Sequence, residues 1–227
     1  MRLPTLALLF ILATSTIAQN DAPRLPKTGN TFATFIPERW PAIDTACGDL
    51  NNDGTDDVVL VLQCQDTIPG DTTGASGTNA PPRKLVVLFA EGAGYSLAVD
   101  NDRFILRADE GGWFDPFEGM EVKDGALNIS FYGGSAWRYS NTYTFQWLEG
   151  AFMLIAAETV SYHVAEGNGE KHNYDFLTHR GSTTTGNMTE ADAANKTTWK
   201  DLPMLKPMSL DALLRPFVWE VEPGIRL

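Results

Sequence analysis

From Trp137 to Trp147 the odd positions hold Trp137, Tyr139, Tyr143, Phe145 and Trp147, and the even ones hold Arg138, Ser140, Thr142, Thr144 and Gln146. Successive side chains of a β-strand point to opposite faces, so a period of two kept across this stretch demands a strand with one aromatic and one polar face. Glu149 and Gly150 follow, and a two-residue turn there folds the chain back into a hairpin. In that register Trp147 faces Phe152, Phe145 faces Leu154, Tyr143 faces Ala156, Tyr139 faces Val160 and Trp137 faces Tyr162. A wall this apolar on both strands reads as core. The alternative is a sugar-stacking platform, for which only Trp137, Arg138 and Tyr139, beside Gly133 and Gly134, are placed to reach a rim.

Shorter strand patterns at 58–62, 85–90, 95–99 and 126–132 surround this hairpin. The expectation is a mainly β protein, an antiparallel β-sandwich or curved sheet with long loops. Ser209 is set to cap a short C-terminal helix through Leu214, before Pro216. Between Asp66 and Pro82 the chain is dense in Gly, Thr, Ser and Pro, which predicts a mobile loop or a small insertion. No internal repeat is visible, which argues against a β-propeller.

Arg2 precedes an apolar run from Leu6 to Ala13, and Thr16 and Ala18 stand at the positions where a secretory leader is cut. The expected organisation is a signal peptide at 1–18, a loose N-terminal segment at 19–31 and a single β-rich calcium-binding domain at 32–227. The product is expected to be exported, periplasmic or extracellular, without membrane insertion. Residues 1–18 hold one basic and no acidic residue, so their removal lowers the formal charge from −12 by one, to −13. Such a surface repels nucleic acid and anionic membranes and favours cations or a basic protein partner.

The stretch GDLNNDGTDDVVLVL places Asp49, Asn51, Asp53 and Asp57 at loop positions one, three, five and nine, with Gly54 at six. Calcium takes about six to eight oxygen ligands near ~2.4 Å, which alternating carboxylates around a glycine turn supply, with the Thr55 carbonyl as a further donor. Position twelve is Leu60, in an apolar run, so the loop is not an EF-hand. Calcium is therefore the expected cofactor, in the role of a structural clamp. Cys47 and Cys64 flank the loop, and an even count in an exported chain predicts a disulfide between them. A simple hairpin would instead put Cys47 opposite Val58, about 20 Å along the strand from Cys64, so a bridge requires another path.

The nine-residue pattern resembles the DxNxDGxxD loop of FG-GAP and VCBS-type repeats, in which the loop leads straight into a strand. More widely, the order FIPERW, calcium loop, RFILRADEGGWFDPFEGM, FYGGSAWRYSNTYTFQW and YDFLTHRG is similar to that of uncharacterised secreted bacterial proteins. The resemblance implies one domain and a bacterial source, and carries no activity.

The segment Asp109 to Met120 sets Trp113, Phe114 and Phe117 among Asp109, Glu110, Asp115 and Glu118. Loops carry large aromatics when they fold onto the core or meet a partner. With Trp137, these residues form the candidate partner surface: Asp109, Glu110, Trp113, Phe114, Asp115, Phe117 and Trp137. The leading expectation is an exported, calcium-stabilised binding protein, such as an inhibitor or immunity-type protein that engages a basic envelope or secreted protein. A carbohydrate-binding module is the second reading. A hydrolase using Asp109, Asp115 or Glu118 as acid and base is the third. His163, His172 and His179, with Glu166 and Glu170, match no compact zinc motif.

Overall fold

The structure is a computed structural model that describes residues 23–190, 192–204 and 207–227. The expected leader at 1–18 lies outside these. Among the described residues fourteen strands, a 3-10 turn and one short α-helix follow in order: β1 (Thr28–Gly29), the 3-10 turn (Phe32–Phe35), β2 (Ala42–Gly48), β3 (Asp57–Gln63), β4 (Arg83–Glu91), β5 (Gly94–Asn101), β6 (Phe117–Lys123), β7 (Ala126–Gly134), β8 (Trp137–Leu148), β9 (Ala151–His163), β10 (Asn168–Asp175), β11 (Arg180–Asn187), β12 (Lys196–Asp201), α1 (Leu210–Leu213), β13 (Glu220–Glu222) and β14 (Ile225–Arg226).

These strands form two antiparallel sheets and a small C-terminal hairpin. The first sheet has the order β1-β5-β4-β3-β2, and the second runs as an unbroken meander from β12 to β6. The mainly β, antiparallel architecture is as expected, and Ser209 caps α1 by accepting from the Ala212 amide at 3.2 Å. Among the described residues no helix is long and apolar enough to cross a membrane.

The central strands of the first sheet, β3 and β4, are buried on both faces, which is why they read as continuous apolar runs. Val59, Val61, Leu85, Val87 and Phe89 face the second sheet, where they meet Leu127, Ile129, Phe131, Tyr143, Phe145 and Leu154. On the opposite face Val58, Leu60, Leu62, Val86 and Leu88 are covered by Phe35 and Trp40. The segment expected to be loose contributes to this cover, since Leu25 packs there and Thr28 and Gly29 pair with Ser96 and Tyr95.

The cysteines are not bridged. β2 and β3 form the simple hairpin that sets Cys47 opposite Val58. Cys47 is an exposed free thiol, and Cys64 is a buried free thiol in the second apolar cluster. The strand geometry overrides the expectation drawn from an even cysteine count.

The long hairpin forms with Glu149 and Gly150 both at positive φ (52° and 84°), the backbone of a tight primed turn. Trp147 faces Phe152 and Phe145 faces Leu154 as expected, but the register then shifts by one residue. Ile155 is the extra residue, and its carbonyl accepts from the Phe176 amide at 2.9 Å. Beyond this bulge Tyr143 faces Ala157, Tyr139 faces Ser161 and Trp137 faces His163, in place of Ala156, Val160 and Tyr162. A one-residue slip exchanges the two faces of a strand. Here it turns Thr159, Ser161 and His163 inward, and the polar inner end of the second sheet follows from it.

Candidate functional site

The aspartate loop joins β2 to β3 and leads into β3 at Asp57, at the place where the two sheets meet. Asp44 of β2 accepts from the Met120 amide of β6 at 3.1 Å. A Cβ on Gly48 would meet Val122 Cγ1 of β6 at 2.6 Å, and one on Gly125, in the β6 to β7 turn, would lie 3.4 Å from Asn52 Oδ1. The loop therefore touches both sheets.

Within it, Asp49 Oδ1 and Asn51 Oδ1 both accept from the Asp53 amide, at 3.1 and 3.0 Å, so two of the expected donor oxygens converge on one point. Asp49 Oδ2 accepts from Gly54 at 2.9 Å, and Asp53 accepts from Asn51 Nδ2 at 2.9 Å and from the Thr55 amide at 2.8 Å. These bonds hold the Asp53 carboxyl below its usual value, the Asn51 contact first. Asp57 behaves differently. It is fully buried, its two oxygens accept from Leu50 and from Ala90 of β4 at 2.9 Å each, and burial pushes its carboxyl up despite those bonds. Asp57 is thus an anchor for the loop as much as a donor.

The donor chemistry fits calcium. Asp49, Asn51 and Asp53 offer hard oxygens, an ionised carboxylate keeps lone pairs after accepting one amide per oxygen, and no Lys or Arg among the described residues pairs with Asp49, Asp53 or Asp57. Among those residues no cluster of three or more His, Cys, Asp or Glu side chains is gathered as a metal centre. Asp49, Asn51, Asp53 and Asp57, with the Thr55 carbonyl, are the groups that would hold a calcium ion here, and the ion would act as a structural clamp.

The second acidic loop is built the other way. Arg83, 3% exposed at its side chain, holds Asp115 with its two terminal guanidinium nitrogens and also donates to the Leu106 carbonyl at 2.8 Å. Burial alone would raise the Asp115 carboxyl, but the Arg83 and Phe117 hydrogen bonds bring it below the ordinary range. Asp109 accepts from Thr78 Oγ1 and from the amides of Asn79 and Ala80, the latter two at 2.7 and 3.1 Å. Glu110 accepts from the amides of Ala75 and Arg107 and pairs with Arg215 at 3.2 Å. Arg107 in turn reaches Asp71 and Thr73. The 66–82 stretch is thereby an ordered insertion pinned to residues 107–110.

Of the candidate partner residues, Asp109, Glu110 and Asp115 are spent on structure. Phe117 opens β6 and packs on Phe131 at 6.2 Å. Trp113, Phe114 and Trp137 remain 80%, 55% and 58% exposed. Their backbones are tied together by the Gly112 to Gly134 bridge and by Gly134 N to Gly111 O at 2.8 Å. Arg138 lies over the Phe114 ring at 5.3 Å.

A cleft of about 740 Å³ opens beside this rim. Its floor continues the inward face of the second sheet past the edge of the first. Along β8 the face runs Phe145, Tyr143, Asn141, Tyr139, Trp137, passing from buried to exposed. Along β9 it passes from Leu154 and Ala157 to Thr159 and Ser161, and along β10 from Tyr174 to His172 and Glu170. Asn141 accepts from Thr159 at 3.0 Å, and His172 bridges Thr183 at 3.2 Å and Glu170 at 3.1 Å. Phe217, edge-on to Tyr139 at 5.0 Å, and Gly224 to Arg226 form the roof. The three histidines do not gather: His163 meets the Trp137 ring, His172 lies in the floor, and His179 is in the turn before β11.

Sequence reasoning took the aromatic wall as core, with Trp137, Arg138 and Tyr139 at a rim only in its alternative, and it missed the floor. Its inward residues are polar and become visible as one surface only once the Ile155 bulge is known. No protein-family model, curated protein or solved structure matches the chain.

Proposed function

We propose that this chain is an exported, calcium-stabilised binding protein whose ligand sits in the cleft over the second sheet. The supporting observation is the division of labour among its side chains. Of the carboxylates considered for acid and base catalysis, Asp109 and Asp115 are engaged by Thr78, backbone amides and Arg83, and Glu118 stands exposed on β6, whereas the cleft exposes an aromatic rim and unburied polar groups. Concave sites with apolar walls and a few placed polar groups are the usual form of ligand pockets. Calcium at Asp49 to Asp57 would fix the seam between the sheets and so hold the cleft's framework.

The inhibitor reading is weakened at Asp109, Glu110 and Asp115, whose carboxylates already have partners within the fold. A protein partner stays as a second reading, supported by the exposure of Trp113 and Phe114 on a pinned backbone. Recovery at low salt of a partner that the Trp113→Ala variant fails to hold would favour it.

Calorimetric titration of the mature protein with calcium tests the primary reading. One site per chain, lost in Asp53→Ala while the fold is retained, is the expected result. No heat and no site in folded protein would remove calcium from the account.

A further inference from the structure

The chemistry of the cleft narrows what it can hold. At its mouth Trp137 is 58% exposed, and its ring is met edge-on by His163 at 5.4 Å, so the indole is held in place before any ligand arrives. Tyr139 and Phe217 line the deeper wall. The floor presents Ser161, Asn168 and Thr185, whose hydroxyl and amide groups are exposed. The charged groups of the lining have polar partners: Glu110 pairs with Arg215 at 3.2 Å and Arg226 with Glu220 at 3.9 Å, and Glu170 is hydrogen-bonded to His172 at 3.1 Å.

Three ligand chemistries can be weighed against this lining. A phosphate or other multiply charged anion needs a surplus of cationic donors, and the one arginine of the lining already faces Glu220. A lipid or other wholly apolar ligand would bury the floor's hydroxyls and amides without hydrogen bonds, at a cost for each group. A molecule with apolar ring faces and many hydroxyls satisfies both the aromatic mouth and the polar floor. The volume, about 740 Å³, is on the scale of a ligand of several rings.

We propose that the cleft binds a neutral carbohydrate chain. Trp137 stacks on the face of one sugar ring at the mouth. Ser161, Asn168, Thr185 and the Glu170 carboxylate take the ring hydroxyls, with Glu170 oriented by His172. The proposal rests on the reading of the cleft as the ligand seat. The bulge at Ile155 is its structural origin, because without that residue Glu158 and Val160 would line the floor in place of Thr159 and Ser161.

The test titrates the mature protein in calcium with cellohexaose, chitohexaose, laminarihexaose and maltohexaose, with ATP and palmitate as charged and apolar comparisons, following tryptophan emission and heat. Saturable binding of at least one hexaose is expected, weakened roughly tenfold in Trp137→Ala, the scale of losing one stacking contact. Ser161→Ala with Thr185→Val should weaken it further, while the calcium-dependent rise in melting temperature stays as in the parent. Silence across the four hexaoses in protein that still gains stability from calcium overturns the glycan assignment alone. Binding of ATP or palmitate in their place, or hexaose binding indifferent to Trp137→Ala and to the floor variants, overturns it too. Loss of the calcium response in the parent protein strikes the calcium reading above and not this proposal.

Discussion

The loops at 49–57 and 103–116 are both rich in carboxylates and both lead into a strand, yet only the second has arginine partners for its carboxylates. In the second, Asp115 is held by Arg83, Glu110 by Arg215, and Asp109 by the insertion's hydroxyl and amides. Two of its carboxylates, Asp115 and Glu110, are thereby answered by arginine, while Asp109 rests on a hydroxyl and amides. In the first, Asp49, Asp53 and Asp57 receive only amides, from the backbone and from Asn51. Amide dipoles orient a carboxylate but do not neutralise it, and on that ground a cation is proposed for this loop. The number of acidic residues in a segment therefore says little about its task. The placement of arginines elsewhere in the chain decides it.

The largest effect is expected at Asp115. Its replacement by Ala leaves the buried Arg83 charge without its carboxylate, a loss of about 3 kcal/mol, read as a lower urea midpoint that calcium does not restore. An unchanged midpoint would mean that Arg83 is satisfied by Leu106 and Gln63 alone.

Next comes Asp109→Ala, which removes the acceptor for the Asn79 and Ala80 amides and should cost about 1 to 2 kcal/mol. Limited proteolysis should then cut within 66–82 first. If cleavage falls elsewhere, the insertion is held by Arg107 and not by Asp109.

Acid should act on the same loop. The carboxyls of Asp71, Asp109 and Asp115 are each held below the ordinary value of 3.8 by their hydrogen bonds, against the opposing effect of burial. A lowered folded value gives stability that is present above the unfolded value and lost as pH falls through the folded one. The insertion is therefore expected to open below about pH 4, seen as acid-dependent proteolysis at 66–82. Protection that persists to pH 2 would break this assignment.

The smallest effect is expected at the cysteines. Reductant should leave the melting temperature unchanged, and Cys47→Ser should alter stability by less than about 0.5 kcal/mol. A marked fall with reductant would restore the disulfide.

Parts of this molecule were legible in the sequence because their signals are local. The alternation from Trp137 to Trp147 specified β8, Glu149 and Gly150 specified its turn, and the spacing of Asp49, Asn51 and Asp53 specified a loop that leads into β3. The bulge left no such trace: Ala156 and Ala157 are alike, so either register keeps the inner wall small there, and only the structure shows the shift at Ile155. β10 was hidden for a related reason, since its inward residues His172 and Glu170 line a cleft and give no apolar alternation. β6 began inside a stretch read as loop because Glu118, Glu121 and Lys123 mask its partly buried partners.

The most direct test of the contrast between the two loops is thermal unfolding of the parent, Asp49→Ala and Asp115→Ala proteins, each in calcium and in EGTA. The account predicts that calcium at a hundredfold excess over its dissociation constant stabilises the parent by about 2.7 kcal/mol. It also predicts that Asp49→Ala loses this difference, and that Asp115→Ala keeps it on a lower baseline. Equal melting in calcium and EGTA for the parent, or a calcium gain that survives in Asp49→Ala, would contradict it.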